Sequence, residues 1–299
     1  MAIQFSIYTC PPIASATSSP DPSSEDSGLW SPLSCTLIYT PVAAVIVDCP
    51  ATIAATTELA TWIKSTLPNG CTLKHFIISH AHGDHFLGIP VLQNTFPGIT
   101  AIGTKTVVEG VAQQYSPQIY DGLWKQTFPT TEPGTGVPLT KAEFFPLPSS
   151  NELDLDGHLL KLFDVPHGDT HANSFVHVPE LGLVVAGDIV YNGDCHQWLG
   201  EASAQEKRDQ WIEALSHIAA LKPKVIVPGH TFMPMSEPNE SLAASMLNST
   251  KEYIKGFEEE LGMATNEEDL FERMKARYSR WNLNLLDGGC KAGMLAKQS

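Results

Sequence analysis

The chain has 299 residues, 42% of them apolar and 17% charged, a globular composition without the excess of charge that marks disorder. Its 18 basic against 33 acidic side chains leave a formal charge of −15, which argues against nucleic acid as a partner, because phosphate binding draws on Lys and Arg. No stretch approaches the roughly 20 apolar residues needed to span a bilayer, so a soluble protein with no membrane association is expected.

Residues 3–9 alternate as a first strand, and the Ser-, Pro- and Asp-rich segment 14–27 reads as a loose surface loop. Leu33 to Thr40 and Val42 to Asp48 read as two strands of a hairpin broken at Pro41. A helix follows from about Ile53 to Leu67, stopped by Pro68-Asn69-Gly70. The apolar run Phe76-Ile77-Ile78-Ser79 then reads as a buried strand ending in His80-Ala81-His82-Gly83-Asp84-His85. Beyond it come a short helix at 86–94, a strand at 99–103 and a helix at 104–115. From 116 to 138 the chain is irregular around Tyr120, Trp124 and Phe128, either a lid or a surface loop pinned by those aromatics.

The second half carries strands at about 143–147, 151–155, 158–165, 173–178 and 182–186, a helix at 204–221 and a strand at 224–228. Trp211, Leu215 and Ile218 share one stripe of that helix, so Trp211 reads as core. Helices at about 239–262 and 266–280 precede a Gly-rich tail. Strands flanked by helices in two similar halves predict a single domain over 1–299 of α/β class, two packed mixed sheets with helices outside.

Four groups able to bind metal fall within residues 80–85, a density that packing does not explain. In an extended backbone His80 and His82 share a side and can hold one ion. Asp84 and His85 follow Gly83, where the backbone can turn, and can serve a second. Three further candidates close apolar strands: His167 after His158–Pro166, Asp188 after Gly182–Gly187, and His230 after Lys224–Gly229. Strand ends of this kind present loop residues along one edge of a sheet.

With these pieces the sequence resembles the metallo-β-lactamase-fold superfamily of hydrolases: HxHxDH at 80–85, Pro-His at 166–167, Ala-Gly-Asp at 186–188 and Pro-Gly-His at 228–230, in that family's order. The resemblance covers roughly 33–232 and implies the αββα sandwich. It also implies one zinc site of His80, His82 and His167, another of Asp84, His85 and His230, and Asp188 bridging them. The segment 166–171 departs from the commoner Gly-His-Thr/Ser-Pro-Gly form, with Gly168-Asp169 in place of Thr/Ser-Pro. Asp169 is expected to orient this loop, and His171 to act behind the ligands or in packing. His196 reads as a surface residue.

Two zinc ions per chain are expected, with iron or manganese able to use the same nitrogen and oxygen donors. A shared water acidified from about 15.7 toward about 7 would attack a small cyclic amide or ester, a lactam or lactone. Asp84 would steer that water. Tyr191, three after Asp188 as in similar quorum-signal lactonases, reads either as a hydrogen-bond donor to the oxyanion or leaving oxygen or as a buried phenol bonded to backbone. Aspartate at 188, where one subgroup of zinc β-lactamases has cysteine, favours a lactonase, a lactamase for another ring or a thioesterase over a β-lactamase, and the apolar set Phe86, Trp198, Phe232, Met233 and Met235, read equally as pocket lining or as core, favours a neutral ring. A thioesterase of glyoxalase II type and a mononuclear iron enzyme like a persulfide dioxygenase remain as other readings. The six cysteines form no CxxC pair and read as reduced thiols of a cytoplasmic protein, with secretion a minor alternative suggested by Ala14-Ser15-Ala16.

Overall fold

The computed structural model describes residues 2–17, 19–233 and 239–298. Strand β1 (Gln4–Cys10) is followed by a two-residue hairpin, β2 (Ile13–Ala14) with β3 (Leu29–Trp30), and then by β4 (Leu33–Tyr39) and β5 (Ala43–Val47). β1, β4 and β5 pair antiparallel. Helix α1 (Ile53–Thr66), begun where Thr52 Oγ1 accepts from Ala55 N, leads to β6 (Thr72–Ile77), which lies parallel to β5. Helix α2 (Ile89–Thr95), β7 (Thr100–Gly103) and α3 (Lys105–Gln114) follow, and β8 (Phe144–Pro146) closes a six-stranded sheet of order β1-β4-β5-β6-β7-β8. Between α3 and β8 stand two single turns, α4 (Pro117–Ile119) and α5 (Lys125–Thr127), joined by a π-turn over Tyr120–Trp124.

The second sheet has five strands: β9 (Glu152–Leu155), β10 (His158–Asp164), β11 (Ser174–Val178), β12 (Leu183–Gly187) and β13 (Val225–Pro228), in spatial order β13-β12-β11-β10-β9. Helix α6 (Gln205–Ala220) is the crossover that makes β13 parallel to β12. Helices α7 (Glu240–Met263), α8 (Glu267–Arg277) and α9 (Leu283–Lys297) finish the chain. Among the described residues no helix is long and apolar enough to cross a membrane.

Strand alternation sorts the apolar residues into three layers. Val45, Val47, Ile77 and Ile102 of the first sheet face Val176, Val185, Val225 and Val227 of the second. Ile46, Phe76 and Ala101 point the other way, onto α1, α2 and α3. Phe175, Val184, Ala186 and Ile226 likewise pack under α6 to α9, with Trp211 buried and its indole donating to Ile189 O. Each such fully buried aliphatic or aromatic side chain contributes roughly 1.5–3 kcal/mol. The result is the predicted αββα sandwich.

Several local expectations change. The 14–27 loop is not loose: Asp26 is buried and accepts from Leu283 N at 2.7 Å, and Asp21 pairs with Lys275 at 2.8 Å. The partners lie more than 250 residues away, out of reach of local pattern reading. The Gly-rich tail is helix α9, because its glycines permit close packing; a Cβ on Gly293 would stand 2.8 Å from Phe257 Cζ of α7. In 116–138, Tyr120, Trp124 and Phe128 are buried, so aromatics do pin the segment. All six cysteines are free and five of them are buried.

β5, β6, β12 and β13 each run toward the edge where the two sheets approach, and β10, antiparallel to β11 as β12 is, runs the same way. The edges are tied by the isolated bridge His80↔Asn173 and by Ser34 N donating to Gly229 O at 2.8 Å. Everything past the C-terminal ends of these strands is therefore gathered in one place.

The α7–α9 contact can be tested through its glycine. Gly293→Val should lower unfolding stability by about 1–3 kcal/mol through overpacking. Gly262→Ala, whose Cβ would meet nothing within 4 Å, should leave stability unchanged or slightly raised. Equal effects of the two in urea unfolding would disprove the close contact.

Candidate metal centre

The stretch leaving β6 turns as the sequence suggested. His82 is extended, and Gly83–His85 forms a single tight turn that swings Asp84 and His85 away from His80 and His82. His230 and Asp188 arrive from the ends of β13 and β12. Gly229 lets them meet, since a Cβ there would lie 1.8 Å from Asp188 Oδ1.

Asp84, His85, His230 and Asp188 form one buried group. His230 Nε2 is 3.4 Å from Asp84 Oδ2, 3.3 Å from Asp188 Oδ2 and 3.3 Å from His85 Nε2. His85 Nε2 is 3.4 Å from Asp188 Oδ1 and 3.8 Å from Asp84 Oδ2. Ligands bound at about 2.0–2.2 Å around a tetrahedral ion stand about 3.4 Å apart, so the donor spacing fits such an ion.

The far sides of these rings are fixed. His230 Nδ1 donates to Pro32 O at 2.8 Å and His167 Nδ1 to Gly168 O at 2.7 Å, leaving each Nε2 as the ring atom free to meet an ion. Asp48, at the end of β5 with φ 62°, accepts from Ser79 N at 2.9 Å, from Ser79 Oγ at 2.7 Å and from His85 Nδ1 at 3.0 Å. Ser79 Oγ, having given its hydrogen to Asp48, accepts from His80 Nδ1 at 2.9 Å. One carboxylate thus orients two ring ligands. The Nε2 atoms of His80 and His167 and Asp188 Oδ1 are buried without hydrogen bonds, as open ligand positions would be.

The first site is arranged differently from the expected triad. His80, His82 and Asp169 bring ligand atoms within 4.8 Å of one another, whereas His167 is in none of the groups gathered at that spacing among the described residues. His82 lies between two acids, with Nδ1 2.8 Å from Asp169 Oδ2 and Nε2 2.8 Å from Glu201 Oε1. Glu201 is held in turn by Thr170 Oγ1 at 2.7 Å.

Electrostatics reflect this density. Burial lowers the affinity of His230 for a proton, but Asp188 and Asp84 outweigh it and hold the imidazole well above its usual value. Burial likewise opposes charge on His82 and His85, which Asp169 and Asp188, respectively, overcome. Burial works to raise Asp188, yet His230 and His85 keep it well below the carboxylate range. Burial, reinforced by His85, pushes His80 well down. Burial also raises the Asp169 carboxyl.

The model of the Metallo-beta-lactamase superfamily matches residues 28–230, two thirds of the chain, a span within which the seven expected ligands fall. The chain belongs to the metallo-beta-lactamase superfamily. A metallo-beta-lactamase from Pontibacter korlensis superposes with a TM-score of 0.53 at 18% identity, over 84% of this chain and 99% of that one. A metallo-beta-lactamase from Pseudomonas aeruginosa, solved in its mono-zinc form, gives 0.54 at 17% over 84% and 92%. A metallo-beta-lactamase family protein from Thermus thermophilus gives 0.62 at 15% over 98% and 92%. At these identities the likeness shows the fold alone. No curated protein sequence matches the chain. The superfamily consists mostly of metal-dependent hydrolases, and the His/Asp clusters here suit divalent ions.

Other residues stand where the sequence did not put them. Tyr191 is fully buried and donates to Asp188 Oδ2 at 2.7 Å rather than to backbone or into an open pocket; burial first, then Asp188, raises its pKa and keeps the proton on the phenol. His171 is exposed, and His196 is buried against Tyr253 OH at 2.8 Å, its pKa pushed down to about 3 by burial. Phe86 is core, Phe232 packs on Trp281, and Met235 lies outside the described residues. Sequence reasoning missed Asp48, Glu201 and Trp30, whose indole donates to Asp84 Oδ2 at 2.9 Å. Asp48 carried a usable signal, an acid closing an apolar strand like Asp188; Trp30 and Glu201 carried none.

Asp48→Ala should weaken binding of divalent metal about 10- to 100-fold, as loss of ligand-orienting partners does elsewhere; an unchanged titration isotherm would refute its role. The metal-free protein should also show a pH signature. Stabilisation by the depressed Asp84 and Asp188 is complete above about pH 4 and lost as pH falls through their lowered values. That from the raised His82, His85 and His230 is complete below about pH 6.5 and lost as pH rises through theirs. Added metal must displace those imidazole protons, so the gain in Tm with zinc should grow from about pH 6 to about pH 8. A gain independent of pH would count against these ligands.

Proposed function

We propose that the chain is a dizinc hydrolase that opens a small, uncharged cyclic ester or amide, with lactones ahead of carboxylate-bearing β-lactams. The supporting observation is the cavity above the metal-site residues, about 430 Å³. His82, Asp84, Asp188 and His230 reach it, while Trp30, Ile119, Leu123, Trp124, Trp198 and Leu285 supply apolar walls. Its charged lining beyond the ligands is Glu201 and Asp287, with neither Lys nor Arg. An anionic substrate would meet like charge and lack a partner, whereas a neutral ring with an apolar substituent would bury its surface against indoles.

The bound ions would supply acidification of water at neutral pH and polarisation of the scissile carbonyl. The chain's own groups do the rest. Trp30 fixes one oxygen of Asp84, so the carboxylate is oriented to take the proton from the attacking water and return it to the leaving oxygen or nitrogen. Tyr191, by donating to Asp188, is a positioning residue that holds in one rotamer the carboxylate that would contact the ions. The indole walls exclude bulk water from the ring once it is seated.

Hydrolysis of a panel of neutral lactones, neutral lactams, thioesters and carboxylated β-lactams by zinc-loaded protein tests this reading. Turnover of neutral rings above the carboxylated ones is expected, and the reverse ranking would overturn it. Tyr191→Phe should retain two metal ions while lowering kcat about 10- to 100-fold; full activity would remove the positioning role.

A further inference from the structure

The acid that replaces the usual residues after His167 is buried inside the first metal site. Asp169 is fully buried, and its Oδ2 takes part in no hydrogen bond. Facing it at 3.6 Å is His80 Nε2, also buried and also without a hydrogen bond. His82 Nδ1 approaches the same oxygen at 2.8 Å. The other oxygen, Oδ1, accepts from Asn173 Nδ2, and Asn173 bridges to His80 across the sheet edges, so the carboxylate is aimed rather than loosely placed. A buried acceptor and a buried imidazole lone pair do not attract each other, and their spacing is close to the ligand–ligand edge of about 3.4 Å around a tetrahedral ion.

We infer that Asp169 is a direct ligand of the first metal ion, binding through Oδ2 beside His80 Nε2 and His82 Nδ1. This rests on the dimetal reading of the site. The first ion then sits among mixed nitrogen and oxygen donors instead of three imidazoles. Three carboxylates, Asp84, Asp169 and Asp188, face two dications, which leaves the centre one positive charge rather than two. That charge suits a neutral substrate over an anionic one, and the donor set is more tolerant of iron or manganese than an all-imidazole site. Glu201, on the far side of His82, orients that ring without reaching the ion.

The experiment is titration of the chelator-stripped full chain with cobalt(II), read by calorimetry and by visible absorption, in the wild type, Asp169→Asn and Glu201→Gln. Two ions per chain are expected for the wild type. Asp169→Asn should lose one ion at micromolar metal, or bind it at least about 100-fold more weakly, with a changed cobalt d–d band, because a ligand outweighs an orienting partner. Glu201→Gln should keep both ions and the band. Two ions with unchanged affinity and band in Asp169→Asn would overturn the inference while leaving the dimetal reading intact. No cobalt bound by the wild type would overturn both. Should Asp169→Asn fail to fold, Asp169→His decides on the same band: altered intensity for two bound ions supports ligation, and an unaltered band overturns it.

Discussion

The hydrogen bonds converging on Asp48 are the constraint on which the rest depends. That carboxylate holds Ser79, through it His80, and directly His85, so an expected ligand of each site is tied to the end of one central strand. Its left-handed backbone, φ 62°, turns the side chain under the 80–85 stretch, a conformation Asp tolerates better than most residues. Without such a carbonyl or carboxylate behind each imidazole, Nδ1 and Nε2 would be free to exchange roles. With them, Nε2 of His80, His85, His167 and His230 faces inward, whereas His82, held at Nε2 by Glu201, turns Nδ1 inward.

The sandwich serves this arrangement by its directions rather than its size. Parallel pairing of β5 with β6 and of β12 with β13 places four strand ends on one edge, and the bridge between His80 and Asn173 brings the two edges together. Buried there, the imidazoles and carboxylates displace one another's proton affinities strongly, the expected condition of a site built for cations. Asp169 adds to that density from the loop after His167.

Part of the pocket wall comes from outside the segment that the superfamily model matches. Thr17, Asn284, Leu285, Asp287 and Gly288 lie outside the matched residues 28–230, yet they face the same cavity as Asp84 and His230. The aromatic group Trp30, Trp124 and Phe128, with ring centroids 5.5–6.2 Å apart, joins the N-terminal loop to the 116–128 segment. The His/Asp clusters thus lie within the matched segment, while the cavity above them draws on the N-terminal loop, the turns after α3, and α9.

The sequence by itself determined the sheet and helix order and the αββα class, and it singled out the strand-end His and Asp residues from which a metal site was expected, because strand alternation and the HxHxDH spacing are local patterns written in consecutive residues. It left the Gly-rich tail after 280 without a helix, since glycine lowers helix propensity and only packing against Phe257 and Trp198 shows why it is there. It read the 14–27 segment as loose because its anchors, Leu283 and Lys275, lie at the other end of the chain. Tertiary structure alone decided that Asp48 supports the ligands, that Tyr191 holds Asp188, and that Asp169 rather than a distant loop contact faces His80. Those relations depend on which strand ends meet across two sheets, and distance in space between residues far apart in sequence leaves no periodic trace.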